Sequence, residues 1–545
     1  GIAINLLIGF VILFMDKNLL LRIKIYLVFA CCVVFFAYKI IVPDWNQVCF
    51  TAQSFRHSRG AKDTFREFLK KSKDKKILFY KDGQEATVSV VDTDGTLALY
   101  INGKADASTT ESDMATQTLC AELPLILKPD IKDVLVVGLG SGVTCGSALL
   151  HPIDDLDLVE ISPSVVDASQ YFSQFNYNAL RDKRLHLYIE DARTFVQRAG
   201  KKYDLIINEP SNPWTSGTGT LFTVEYFWDC LNSLKEDGLM VQWIQTYEMN
   251  DEIFEMIMRT FCSVFPEVTM WSTGVSDILL VGSKKTIIPD FAKSEKRMTQ
   301  IEIREDLSRI GLDGLFTLLS FQLASNKNVK ETFRMKEAVN SDYFPILEYK
   351  APLALYTGAV VKKMIVYLDE RRIPLERGDL LIKRYLENRK IDYADLESLF
   401  KYISKKSGLN KNLLLSLTKR WHEEYPDDGQ AELAYTMHNI DHVENTALRL
   451  GKLIHRDKKF RTLDLYASFQ MKRYETLRSF LLPDIFDDVT DKIKMCIGLT
   501  EDRKAKFYSF LGRVYFKMED YKEALRYYLK AAELIESKKE DAESQ

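Results

Sequence analysis

Three glycines in five residues, Gly138, Gly140 and Gly142, follow directly on the apolar run 134–137, and two acids stand at matching places further on. Glu160 lies near the end of the next apolar run, and Asp191 just after the one beyond it. A glycine turn lets the backbone approach a ligand closely and adopt positive φ, and the free N–H groups of the helix that follows face whatever sits over the turn. The spacing is G-x-G-x-G with Ser141 inside it, and an acid about twenty residues downstream is where a ribose hydroxyl pair is held. Together these residues predict a site for a small molecule of the adenosyl type, as in S-adenosylmethionine. A third acid, Glu209, follows the apolar run 204–207 and precedes Pro210-Ser211-Asn212-Pro213-Trp214. Held at a strand end by the prolines, its carboxylate is placed to meet a substrate and accept a proton. Asn212 offers an amide at the same place. Residues 216–220, with Gly217 and Gly219, read as a mobile lid.

The elements that position these residues are legible as alternation. Strand patterns at 134–137, 156–161, 185–189, 204–207, 239–243 and 278–281 alternate with helical patterns, which predicts an α/β protein with a doubly wound parallel sheet. In such sheets ligands bind outside the carboxyl ends of the strands, where the glycines and acids fall. Upstream, short runs at 77–80, 86–91 and 97–101 with turn signals Asp82-Gly83, Asp94-Gly95 and Asn102-Gly103 predict a small antiparallel sheet, and 114–127 reads as a helix.

The ends of the chain read differently. Residues 1–15 are apolar without a basic leader, the pattern of the end of a transmembrane helix rather than of a signal peptide. Residues 25–42 form a second apolar run, so a membrane hairpin is expected. Its turn carries Lys17, Arg22 and Lys24, whereas residues 56–76 carry nine basic residues. That asymmetry predicts a multi-pass membrane protein whose remainder is cytoplasmic, with the basic stretch against anionic lipid. Residues 287–328 are mostly helical in pattern, and helical periodicity dominates from 375 on. There Leu511-Gly512, Tyr515, Asp520-Tyr521, Ala524, Tyr528 and Ala531 fall at the small and aromatic positions of a tetratricopeptide repeat, with a degenerate copy around Tyr466, Phe469, Tyr474, Leu477 and Phe480. Such repeats offer a surface for a protein partner.

Length and composition set outer bounds. With 545 residues, of which 46% are hydrophobic, the chain can bury several cores, and a net charge of -3 with dispersed Lys and Arg excludes a basic nucleic-acid footprint of the usual kind. The eight cysteines form no C-x-x-C pair, so neither a disulfide framework nor a zinc site is indicated. His438 and His442 stand four apart without a third ligand and read as a solvated face. No metal site is predicted.

At these residues the sequence resembles the spermidine synthase family of aminopropyltransferases, most closely its bacterial membrane-fused branch. The resemblance runs over about 76–356. It is carried by Asn102-Gly103-Lys104, Thr116-Gln117-Thr118-Leu119 before Leu123-Pro124-Leu125, Gly138-Leu139-Gly140-Ser141-Gly142, Val159-Glu160-Ile161, Glu190-Asp191-Ala192-Arg193, Glu209-Pro210-Ser211-Asn212-Pro213-Trp214 and Leu221-Phe222-Thr223. Residues 340–349 resemble a segment that follows the catalytic domain in that branch.

The resemblance implies a Rossmann-like domain of the S-adenosylmethionine-dependent transferase type. It also implies nucleoside-binding roles for Gln117, Gly138, Gly140, Glu160, Asp191 and Ala192, with Ser141 and Gly142 completing the turn. Where Ser141 and Glu209-Pro210-Ser211-Asn212 stand, spermidine synthases carry Asp and Asp-Ser-Ser-Asp, whose acids recognise the donor's amine or deprotonate the acceptor. The co-substrate implied is decarboxylated S-adenosylmethionine or S-adenosylmethionine, with no permanently bound cofactor and a small amine as acceptor. Glu209 and Asn212 are the candidate catalytic residues. Methyl transfer from S-adenosylmethionine and a non-catalytic nucleoside sensor remain open beside aminopropyl transfer. The expected organisation is 1–43 membrane helices, 44–76 basic linker, 77–130 small β domain, 131–285 catalytic domain, 286–374 helical extension and 375–545 helical repeats.

Overall fold

A computed structural model describes residues 21–41 and 75–387, except 274–275, 334–337 and 373–376, together with a few isolated positions. The chain divides into two compact units. The first comprises Gly1–Trp243, Ser283–Ile310 and Ser341–Pro352, and the second Ile244–Gly282, Gly311–Asn340 and Leu353–Gln545.

The first unit opens with helix α1 (Leu21–Ile41). The expectation of a membrane span here does not hold: among the described residues no helix is long and apolar enough to cross a membrane. Arg22, Lys24 and Lys39 leave an uncharged stretch of residues 25–38. At ~1.5 Å per residue that stretch covers roughly 21 Å, against a hydrocarbon core of about 30 Å. The other expected span, residues 1–15, lies outside the described residues apart from Gly9, as does most of the basic flank.

An antiparallel sheet follows, β1 (Lys76–Asp82), β2 (Thr87–Thr93), β3 (Thr96–Ile101) and β4 (Lys104–Ser108), paired in chain order. Asp94-Gly95 and Asn102-Gly103 each join two strands as a two-residue turn, with φ of 52° and 84° in the first and 50° and 77° in the second. Two consecutive positive φ values match the right-handed twist of the strands they join, which is why Asp-Gly and Asn-Gly serve there. β4, Lys-Ala-Asp-Ala-Ser, has little strand propensity of its own and is a strand because the Asn102-Gly103 turn lays it on β3.

Helix α2 (Glu111–Leu127) starts three residues earlier than its apolar pattern, because Thr110 caps it. It is buried from Met114 to Leu127 and packs on α3 (Val143–Leu149). The parallel sheet is β5 (Asp133–Val137), β6 (Asp155–Glu160), β7 (Leu185–Ile189), β8 (Tyr203–Asn208) and β9 (Leu234–Gln245), in spatial order β9-β8-β5-β6-β7. Val134, Leu135 and Val136 are wholly buried, as an unbroken apolar strand covered on both faces must be. The chain runs outward from β5 through β6 to β7 and then returns to the other side of β5 for β8. The carboxyl ends of β5 and β8 therefore form a topological switch point, where such folds bind ligands. Helices α4 (Pro163–Ser169), α5 (Ala192–Arg198) and α6 (Val224–Ser233) connect the strands, and α7 (Phe291–Met298) and α8 (Ile301–Arg309) pack on α2. The α/β class and the antiparallel sheet are as the sequence predicted.

The second unit holds β10 (Glu267–Ser272), β11 (Asp277–Ser283) and β12 (Gln322–Ala324) in the order β12-β10-β11. Helix Asp251–Val264 presents Phe254, Ile257 and Phe261 to its core. The expected tetratricopeptide residues all lie outside the described residues, and so do His438 and His442.

Candidate active site

The glycine turn forms as its composition requires. Gly138, Gly140 and Gly142 have φ of 92°, 52° and 83°. A Cβ on Gly138 would stand 2.4 Å from the Glu209 carbonyl oxygen, so the loop after β8 lies against the turn as only glycine permits. Gly142 then begins α3 from a left-handed conformation.

Glu160 braces this turn from the end of β6. Its Oε2 accepts the Leu139 N–H at 2.9 Å and its Oε1 accepts that of Ser162 at 2.8 Å. Burial pushes its carboxyl above the usual range, opposed by the backbone N–H groups of Leu139, Ser162 and Ile161. Asp191 stands beside it at the end of β7, where the Glu190 N–H donates to the Glu160 carbonyl. Its Oδ1 caps α5 by accepting from the N–H and hydroxyl of Thr194, both at 2.9 Å, and Ala192 behind it is buried.

Gln117 and Ser141 belong to the scaffold of the turn. Gln117 Nε2 donates to the carbonyls of Ser108 at 3.2 Å and Asp113 at 3.1 Å, and its Oε1 accepts the Ser141 hydroxyl. The Gln117 amide, expected from the resemblance to reach the ligand, thus ties β4 and α2 to the glycine turn at both its ends.

Glu209 leaves β8 with its N–H on the Val137 carbonyl at 3.0 Å, and its Oε2 lies 2.5 Å from the Thr144 hydroxyl in the first turn of α3. The acid is therefore held directly beside the glycine turn. Asn212, three residues on, is fully buried and accepts the ammonium of Lys104 on its Oδ1. Lys104 also donates to Asp106 Oδ1 at 2.5 Å, Asp106 Oδ2 accepts the Ser211 hydroxyl at 2.7 Å, and the ammonium lies 5.3 Å from the Trp214 ring centroid. Sequence reasoning missed Lys104 and Asp106 as site residues. The signal available was the Asn102-Gly103 turn, which folds whatever follows it back along β3.

The loop read as a mobile lid is tied down. Residues Thr218–Phe222 form a 3-10 turn, and Glu348 Oε1 accepts the Gly217 N–H at 3.0 Å. The same following segment is held by Arg193, whose guanidinium grips Asp342 through two bonds of 2.7 and 2.6 Å, and by Glu225, which accepts the Asp342 N–H at 3.0 Å.

A glycine turn at a switch point, braced by a strand-end carboxylate and flanked by a second acid, is the arrangement in which α/β domains of this topology hold nucleotides. The spermine/spermidine synthase domain matches residues 113–284. A polyamine aminopropyltransferase of Clostridioides difficile is 30% identical over 195 residues, covering 35% of this chain and 69% of its own length. One from Alkaliphilus oremlandii is 36% identical over 134 residues, covering 24% and 47%. The solved spermidine synthase of Thermotoga maritima matches 44% of this chain and 85% of its own at 20% identity, with a TM-score of 0.35. The chain belongs to the polyamine aminopropyltransferase family. It spans about half the length of several curated relatives it matches.

Proposed function

We propose that the first unit transfers an aminopropyl or related alkyl group from an adenosyl sulfonium, decarboxylated S-adenosylmethionine or S-adenosylmethionine, to a small amine. The observation that carries this reading is the placing of Glu209: its carboxylate is fixed by Thr144 beside the turn that would hold the nucleoside. In the reaction a neutral amine attacks the carbon next to the sulfonium. The C–N bond forms as the C–S bond breaks, the electron pair goes to sulfur, and the nucleoside thioether leaves. An alkylamine has a pKa near ~10, so a carboxylate beside it must hold it and take its proton. Glu160 and Asp191 would anchor the nucleoside, and the turn built by Gln117, Ser141 and Gly142 would keep the cradle in shape.

Adenosyl sulfoniums are cytoplasmic metabolites, and on this reading the unit works in the cytoplasm. A reporter fused after Lys76 is then active inside the cell and inactive outside it.

Incubation of the protein with each donor and a series of amines, followed by mass spectrometry of the nucleoside, tests the reaction class. Methylthioadenosine supports alkyl transfer. S-adenosylhomocysteine as the only product would replace it by methyl transfer, and nucleoside binding without turnover would make the chain a sensor.

A further inference from the structure

The wall of the site built by β4 and the loop after β8 holds a charge of its own. Lys104 is 5% exposed, and its ammonium is bounded by Asp106, Asn212 and the Trp214 ring. An ammonium has three N–H bonds and no lone pair, so the amide atom of Asn212 that meets it must be the oxygen. This fixes the amide and turns Nδ2 outward from Lys104 as a donor. Among the described residues that Nδ2 is buried without a hydrogen-bond partner, and so is the indole Nε1 of Trp214, whose ring lies 5.3 Å from the same ammonium. Buried donors without acceptors are rare because each forfeits the hydrogen bond it had with water. The acceptor balancing Lys104 is Asp106, whose second oxygen already takes the Ser211 hydroxyl. A second carboxylate that feels the Lys104 charge, Asp113, takes the Ser108 hydroxyl, and neither acid meets the two spare donors.

A substrate ammonium brought to this wall meets a fixed ammonium and an amide oxygen already taken. An oxygen anion meets N–H donors that have no other partner. We propose that Lys104, Asn212 and Trp214 form a carboxylate-recognition subsite, so that the transferred tail or the acceptor amine carries a carboxylate. Lys104 is then a specificity residue, and the inference rests on the alkyl-transfer reading above. The carboxylate can arrive on the donor, as the methionyl tail of S-adenosylmethionine, or on the acceptor, as the carboxylate of an amino acid. With the first, the group moved is 3-amino-3-carboxypropyl, and methylthioadenosine still leaves.

Two matched pairs separate these sources, each differing by one carboxylate. They are S-adenosylmethionine against decarboxylated S-adenosylmethionine, and ornithine against putrescine in the presence of methylthioadenosine, with affinities read by calorimetry. The subsite predicts that the wild-type protein prefers the carboxylate member of at least one pair by ~10-fold or more, the scale of a charge-assisted hydrogen bond. Lys104→Met should bring that preference to within ~2-fold while methylthioadenosine affinity is kept. Asn212→Asp, which keeps a partner for Lys104 and replaces the spare donor by an acceptor, should reverse it. Equal affinity within both pairs for the wild-type protein overturns the subsite whatever the variants do, as does a preference that Lys104→Met and Asn212→Asp leave unchanged. Methylthioadenosine binding by the wild-type protein reports on the underlying reading separately: its absence overturns both, and its presence without a carboxylate preference overturns the subsite alone.

Discussion

The Thr144 hydroxyl stands 2.5 Å from Glu209 Oε2 and 2.9 Å from the Gln117 carbonyl, so its single proton is shared between the strand-end acid and the helix behind the glycine turn. Thr144→Val keeps the shape and removes that hydroxyl. Turnover should fall ~10- to 100-fold, the range for a modest misplacement of a reacting group, while methylthioadenosine affinity is kept. A fall in affinity equal to the fall in turnover would place Thr144 in nucleoside binding instead.

Glu160 holds the glycine turn through Leu139 and Ser162. Glu160→Ala is expected to weaken methylthioadenosine binding by ~1.5 to 3 kcal/mol, the range for a hydrogen bond to a charged group, and to lower the melting temperature because the two N–H groups lose their acceptor. Calorimetry with an unchanged dissociation constant would remove Glu160 from the site.

The parts of this architecture that were legible in the sequence are those whose signal is local. β5 shows as an unbroken apolar run and β8 through Leu205-Ile206-Ile207 because both faces are buried, and the glycine turn and the Asp94-Gly95 and Asn102-Gly103 turns show because few other residues adopt positive φ. What stayed hidden depends on partners distant in sequence. Lys-Ala-Asp-Ala-Ser becomes β4 by pairing with β3, and Glu267–Ser272 and Gln322–Ala324 become strands by pairing with each other. The grip of Arg193 on Asp342 spans 149 residues and leaves no local pattern. Asn212 was expected to face a substrate, yet its oxygen meets an ammonium 108 residues upstream. The run at 25–42 shows the opposite error, where local apolarity outweighed Arg22, Lys24 and Lys39.

Arg193 holds the Asp342 carboxyl below its usual range, so this carboxylate adds stability that is present above the unfolded pKa of about 4 and is lost as pH falls through its lower folded value. Both side chains are partly exposed, and screening limits the effect to about 1 kcal/mol. Asp342→Asn should therefore change global stability little but speed proteolytic cleavage within 340–350 and 214–220. Equal cleavage rates for variant and wild type would show that the pair does not hold the segment.

Glu122 is fully buried with its Oε2 on His151 Nε2 at 3.0 Å, and burial together with the neighbouring Asp306 holds its carboxyl well above the usual range. Burial lowers the His151 pKa to about 3, so the imidazole is neutral. A carboxyl with a raised folded pKa contributes stability that is fully present below the unfolded value near ~4.3 and is lost as pH rises through the folded value, at up to ~1.4 kcal/mol per pH unit. Glu122→Gln removes that titration. The wild-type melting temperature should fall relative to the variant between pH 5 and 8, and parallel curves would mean that Glu122 is already ionised when buried.

The central claim is that Glu209 takes the acceptor's proton beside a bound adenosyl sulfonium. Glu209→Gln preserves the size of the side chain and removes its basicity, so single-turnover formation of methylthioadenosine with the best donor and amine should fall by at least ~100-fold while calorimetric affinity for methylthioadenosine stays within about twofold of wild type. Turnover undiminished in Glu209→Gln would contradict the account, because another group would then be the base.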